Sequence, residues 1–217
     1  HFENARGLRD RGYRVCVVAY KDGPLQAKAL EAGISSFGLA LNNFSFLNPL
    51  HLRRIRRIFS QTGTALALFN LARDIKAGGL AARQAGVKRR IYRRGSAIPV
   101  KNSFLNRYFF KTVVTEIISN SHETARTLTC LNPAAAEKKI TVLYNGIDTG
   151  RFSPLYRPIR PDRPLVIGNV GRLSPQKAQH HLIELAGLLR AGRIPFVIRV
   201  AGEGELRENL AAATRAE

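Results

Sequence analysis

The sequence has no methionine, no tryptophan and only two cysteines, and its 15 acids face 35 lysines and arginines. Each shortage narrows what the protein can be. No apolar run reaches the length of a membrane-spanning helix. No secretory signal pattern is present. Cys16 and Cys130 lie far apart among apolar neighbours, which reads as two buried, reduced thiols of a cytosolic protein. A chain that opens on His1, lacks methionine and enters a helix without a cap is expected to be a fragment, with a strand and loop upstream. The acids are scarcest in one region: residues 51–111 hold 11 Arg and 4 Lys against Asp74 alone, a net +14, whereas residues 164–217 carry only +2. Such a field attracts nucleic acid, an anionic membrane surface or a phosphorylated substrate, and composition does not choose among them.

What is present is alternation. RVCVVAY, ALALFNL, KRRIYRRG, VTEIISNS and KKITVLYNGID read as strands, separated by stretches of helical period. The segment 149–164 is dense in proline and arginine, a linker composition, after which the pattern restarts with PLVIGNVG and PFVIRVAGEG. Strands alternating with helices predict an α/β protein with parallel sheets. The expected organisation is one domain over residues 1–150, a linker over 151–163, and an incomplete second domain over 164–217.

Two turns carry chemistry. In GNVGRLSPQKAQHH a strand ends in glycine, and Arg172 and Lys177 follow. Ligands of open α/β sheets bind at the carboxyl ends of the strands. Gly168 and Gly171 would let backbone come close, Arg172 offers a planar fork to phosphate oxygens, and Lys177 a mobile point charge. The phosphate-loop spacing G-x-x-x-x-G-K-[ST] is not met. A basic helix start with solvated side chains is the plain alternative. In the second turn, Gly202-Glu203-Gly204, the dinucleotide pattern fails at Arg207, leaving Glu203 as a candidate for sugar or ribose hydroxyls, or an exposed carboxylate in a tight turn. Adjacent on a helix, His180 and His181 are expected to diverge into solvent, so no metal site is expected.

VGRLSPQKAQHHLIELAGLL, VIRVAGEGELRENL, ISNSHETARTL and KKITVLYNGIDTGRFSP, taken in order, resemble the retaining glycosyltransferases of group 1, family 4. HFENARGLRDRGYRV is similar to the helix after that family's first strand. The resemblance implies two facing Rossmann-like domains of the GT-B type. It implies donor diphosphate contacts from Arg172, Lys177 and Gly171, and donor sugar or nucleotide contacts from Gly202, Glu203, Gly204, Asn145 and Gly146. It also implies no cofactor, the two cations standing where a metal would neutralise the leaving diphosphate. On the acceptor side the family commonly has histidines where this chain has Asn70, Arg73, Arg94 and Gly95, so histidine roles do not carry over. The family's E-x7-E pair is absent and would lie beyond Glu217, so the piece alone is expected to be inactive and its catalytic residues are not named.

HLRRIRRIF, residues 51–59, is an amphipathic basic helix. Either its apolar side enters an anionic membrane surface, or that side packs on the sheet and the arginines face water. The implied partners are a nucleotide-sugar, a glycan or glycolipid acceptor of the cell envelope, and such a membrane surface on its cytoplasmic face. The rival readings are a basic nucleic-acid-binding α/β protein, for which no recognised motif appears, and another nucleotide-sugar enzyme such as an epimerase or a phosphorylase.

Overall fold

A computed structural model describes residues 2–154 and 163–216. The chain divides into two compact units, His1–Ile147 and Asp148–Glu217. Most of the expected linker lies outside the described residues.

In the first unit, α1 (Phe2–Arg9) leads to β1 (Cys16–Ala19), then α2 (Pro24–Glu31) and β2 (Ser35–Gly38). The strand β2 follows Gly33 and pairs in parallel with β1 so that Cys16 stands beside Ser35. Next come α3 (Pro49–Thr62), β3 (Leu66–Phe69), α4 (Ala72–Asp74), α5 (Leu80–Gln84) and β4 (Arg89–Arg94). They are followed by α6 (Phe104–Tyr108), β5 (Glu116–Ser119), α7 (His122–Thr129), α8 (Pro133–Ala136) and β6 (Lys139–Val142). Strands β3 to β6 form one parallel sheet in sequential order.

The helix α3 is written by its ends. Asn48 caps it, its Oδ1 accepting from Leu50 N–H at 2.9 Å and His51 N–H at 3.3 Å, and Pro49 fits the first turn because its missing N–H is not needed there. Gly63 stops it in the left-handed conformation, φ 59°. Between α4 and α5 the helix widens into a π turn at Ile75–Gly79. Here core side chains press against the glycine backbone: a β-carbon on Gly79 would stand 2.7 Å from Val113 Cγ1, and one on Gly78 2.9 Å from Phe69 Cε1. A second π turn, Phe109–Val113, buries Phe109, Phe110 and Val113. Around these the core gathers Phe69, Tyr92, Ile117, Leu128 and Ala135. A second cluster joins Ile55 and Ile58 of α3 to Leu39, Ala77 and Ala81.

KRRIYRRG becomes a strand because each arginine finds a partner. Arg89 binds Glu116 on β5 through two bonds of 2.8 and 2.9 Å. Arg90 Nε donates to the Val113 carbonyl at 2.6 Å. Arg93 donates to Asn145 Oδ1 at 2.8 Å, and Arg94 to the Tyr92 hydroxyl at 3.0 Å and to the Ile98 carbonyl. Ile91 and Tyr92 fill the core between them.

The second unit has β7 (Leu165–Val170), α9 (His180–Ala191), β8 (Phe196–Ala201) and α10 (Arg207–Ala216), with β7 and β8 in parallel. Among its described residues only Leu173 and Gln179 are buried. No described helix in the chain is long and apolar enough to cross a membrane. The cysteines differ from expectation: Cys16 is half-buried and Cys130 exposed, because Cys130 ends α7 at its solvent side. Burial raises the Cys16 thiol pKa, opposed by a hydrogen bond with Thr62.

Candidate functional site

The register of β7 and β8 sets Val170 beside Ala201, so both strands leave the sheet side by side into their turns. The turns are then laced backbone to backbone. Gly171 N–H donates to Ala201 O at 3.0 Å, Leu173 N–H to Glu203 O at 2.9 Å, and Leu206 N–H to Leu173 O at 3.2 Å. A β-carbon on Gly202 would meet the Gly171 carbonyl oxygen at 1.9 Å, and one on Gly204 the Leu173 oxygen at 2.2 Å. These two glycines are therefore occupied by the neighbouring turn. Gly171 differs, since the nearest atom to its added β-carbon is Gln179 Nε2 at 4.0 Å.

Arg172 and Lys177 are both exposed, and neither has an acidic partner among the described residues. The loop bearing them is held from behind. Buried Gln179 donates from Nε2 to the Arg172 carbonyl at 2.9 Å, while its Oε1 has no partner. Lys177 ends a 3-10 turn, Pro175–Lys177, and Ala178 follows with φ 49° and ψ 38°. A non-glycine residue there is strained, of order 1–3 kcal/mol, and strain of this kind gathers at functional turns. Glu203 is paired with Arg207, whose hydrogen bond first and charge second hold its carboxyl below the usual range. Arg207, which breaks the dinucleotide pattern, thus has a partner.

In the first unit the candidate residues lie past the carboxyl ends of neighbouring strands: Asn70 after β3, Arg94 and Gly95 at and after β4, Asn145 and Gly146 after β6. Asn120, which sequence reasoning did not single out, follows β5; it donates from Nδ2 to the Gly95 carbonyl at 3.4 Å and from its backbone N–H to Arg94 O at 3.2 Å. Three buried polar atoms here have no partner among the described residues: Asn70 Oδ1, Arg94 Nε and Asn120 Oδ1. Buried polar atoms are normally satisfied, so an unsatisfied set at strand ends is a candidate place for an ordered water or a polar ligand to bind. Arg73 is turned to Asp74 at 3.9 Å instead. Asp74 caps α4 by accepting from Leu71 N–H at 3.1 Å, and burial raises its pKa against that bond and the Arg73 charge.

The apolar side of α3 faces the core, with Ile55 and Ile58 buried and Leu52 and Phe59 packed beside them. Of the two readings of this helix, packing on the protein is the one observed, and Arg53, Arg54, Arg56 and Arg57 face solvent. His180 and His181 are exposed but do not diverge: their ring centroids lie 4.0 Å apart, because both rings lean to the Glu184 side of the helix.

Parallel strands with polar residues and glycine turns at their carboxyl ends place the chain among α/β proteins of ligand-binding architecture. The profile of Glycosyltransferase Family 4 matches residues 2–151, and the chain belongs to that family. Similar solved structures include a glycosyltransferase from Rickettsia africae ESF-5, with a TM-score of 0.72 and 13% identity over 98% of this chain and 58% of that one. Anabaena Alr3699/HepE in complex with UDP-glucose has a TM-score of 0.65 and 16% identity over 99% of this chain and 60% of that one. The lipopolysaccharide outer core galactosyltransferase WaaB, in its apo form, gives 0.65 and 14% over 93% and 64%. The fold is that of GT-B glycosyltransferases, of which this chain spans about three fifths, 58–64% of the three named. Among curated proteins none matches the sequence.

Proposed function

We propose that the protein transfers a sugar, with retention, from a nucleotide-diphosphate-sugar to a glycan or glycolipid of the cell envelope. The observation that carries this reading is the turn after β7, where two exposed cations without acidic partners, Arg172 and Lys177, stand beside an open Gly171 at a strand's carboxyl end. Arg172 grips the donor diphosphate through its planar fork and Lys177 neutralises it as a point charge, so that charge developing on the leaving group meets fixed cations without a metal. The donor side is assigned to residues 164–217, with Asn145 and Gly146 reaching toward the donor sugar or nucleotide, and the acceptor side to the rest of residues 1–150, where Arg94, Asn70 and Asn120 line the strand ends. The complex of Anabaena Alr3699/HepE with UDP-glucose supports a uridine diphosphate donor, and the likeness to WaaB an envelope glycan acceptor.

The test measures thermal stabilisation of the complete protein by a panel of nucleotide-sugars. One or more donors are expected to raise Tm, and Arg172→Ala combined with Lys177→Ala to abolish the shift. No shift with any donor, together with tight salt-sensitive binding of DNA or RNA, would move the protein to the nucleic-acid class.

A second reading concerns place, and one observation favours it: Phe44, Leu47 and Leu50 are 73%, 67% and 72% exposed just ahead of the arginines of α3. Leu50 shares a helical side with Arg53, Arg54 and Arg57. Three apolar side chains beside a row of guanidinium groups suit the cytoplasmic surface of an anionic membrane. In this reading Phe44, Leu47 and Leu50 enter the lipid, and Ile55 and Ile58 stay in the core.

A further inference from the structure

We propose that His180, His181 and Glu184 form a surface site for a single divalent ion of the zinc class, independent of the glycosyl-transfer reading. All three lie in the first turns of α9, and Glu184 is four residues from His180 and three from His181. Both spacings bring side chains together on one side of a helix. The geometry is already drawn in. His181 Nδ1 and Glu184 Oε2 are 2.8 Å apart, the two imidazole centroids 4.0 Å, and one ligand atom from each of the three lies within 4.8 Å of the others.

A tetrahedral zinc ion takes histidine nitrogen and carboxylate oxygen at about 2.0–2.2 Å, which requires ligand atoms roughly 3.3 Å apart. The wider spacings therefore have to tighten and the His181–Glu184 pair to open slightly, and since all three side chains are exposed, no packing resists the change. Two imidazoles and one carboxylate suit zinc, copper or nickel and not magnesium or calcium, whose ligands are oxygens. The three leave a position to water, as in an open zinc site. Two features hold the affinity below that of a closed structural site. The N-terminal end of a helix dipole opposes a cation, and no second set of hydrogen bonds fixes the imidazoles. Binding in the micromolar range is the expectation.

Calorimetric titration of the full chain with Zn²⁺, and in parallel with Mg²⁺, tests the site. One zinc per chain is expected, with no magnesium heat. His181→Ala and Glu184→Gln, both exposed and away from the core, are each expected to weaken zinc binding at least about tenfold. Cys16 and Cys130 are the competing soft ligands, so a variant with both changed to serine is expected to keep the zinc affinity. Absence of zinc binding at millimolar ion, or binding that is indifferent to His181→Ala and Glu184→Gln, would overturn the assignment.

Discussion

A β-carbon on Gly202 would press on a backbone carbonyl 1.9 Å away, whereas one on Gly171 would find nothing nearer than 4.0 Å. The two glycines look alike in sequence, each ending a strand, yet they answer to different neighbours. Backbone cannot swing aside as a flexible side chain can, so Gly202→Ala is expected to cost about 1–3 kcal/mol, read as a lower urea midpoint. Gly171→Ala should stay within about 0.5 kcal/mol of the parent in stability while weakening donor stabilisation, because under the proposed function only the donor needs that space. Equal loss of stability in both would remove the distinction. Sequence could mark these glycines as places of close approach. It could not say what approaches, because the partner of Gly202 lies thirty-one residues away and is fixed by strand register. Asn120 escaped notice for a related reason: nothing local distinguishes it, and only the sheet brings it beside Gly95.

At the scale of the element, α3 joins a core face to an anion-seeking face on one rod. Its amphipathic period made it legible as a helix, but periodicity is blind to which surface an apolar side meets. The buried Ile55 and Ile58 answer that question, and the exposed Phe44, Leu47 and Leu50 open another. Ile55→Ala should therefore behave as a core truncation and lower stability by about 2–5 kcal/mol. Changing Phe44, Leu47 and Leu50 together to serine should leave Tm nearly unchanged and reduce flotation with anionic vesicles to the level seen with neutral ones. Flotation of the parent that is equal on anionic and neutral vesicles would count against the membrane reading. A large loss of Tm in the triple variant would show that those side chains serve the fold. The strand KRRIYRRG shows the same limit in reverse. Its arginines spoke for solvent, and their partners on β5, in the second π turn and at Asn145 are long-range contacts invisible to a local window.

The whole molecule divides its burial unevenly. In the first unit the sheet β3–β6 carries buried side chains such as Phe69, Tyr92 and Ile117, packed against the π turns. In the second, β7 and β8 contain no buried residue, and Val166, Val170, Val197 and Val200 are 59%, 88%, 42% and 46% exposed. A two-stranded sheet is marginal in water unless a further strand or a well-packed helix covers it. Local opening costs less where buried apolar contacts are few, so the two units should exchange their amide hydrogens on different scales. Strands β4 and β5 are expected to open only with global unfolding, at roughly 5–15 kcal/mol, and β7 and β8 at a small fraction of that. Hydrogen exchange of the 217-residue chain followed by mass spectrometry reads this directly. Peptides over residues 165–170 and 196–201 should reach full deuteration well before those over 89–94 and 116–119. Equal protection in all four would mean that β7 and β8 are covered in solution, for instance by a second copy, and protection that rises with protein concentration would identify that cover. Donor binding belongs to the same set of populations: under the proposed function, a nucleotide-sugar held by Arg172 and Lys177 would stabilise the closed form of the second unit by mass action. Slower exchange in 165–170 on adding the donor, absent in the Arg172→Ala and Lys177→Ala double variant, would tie the local stability of that sheet to the turn it carries.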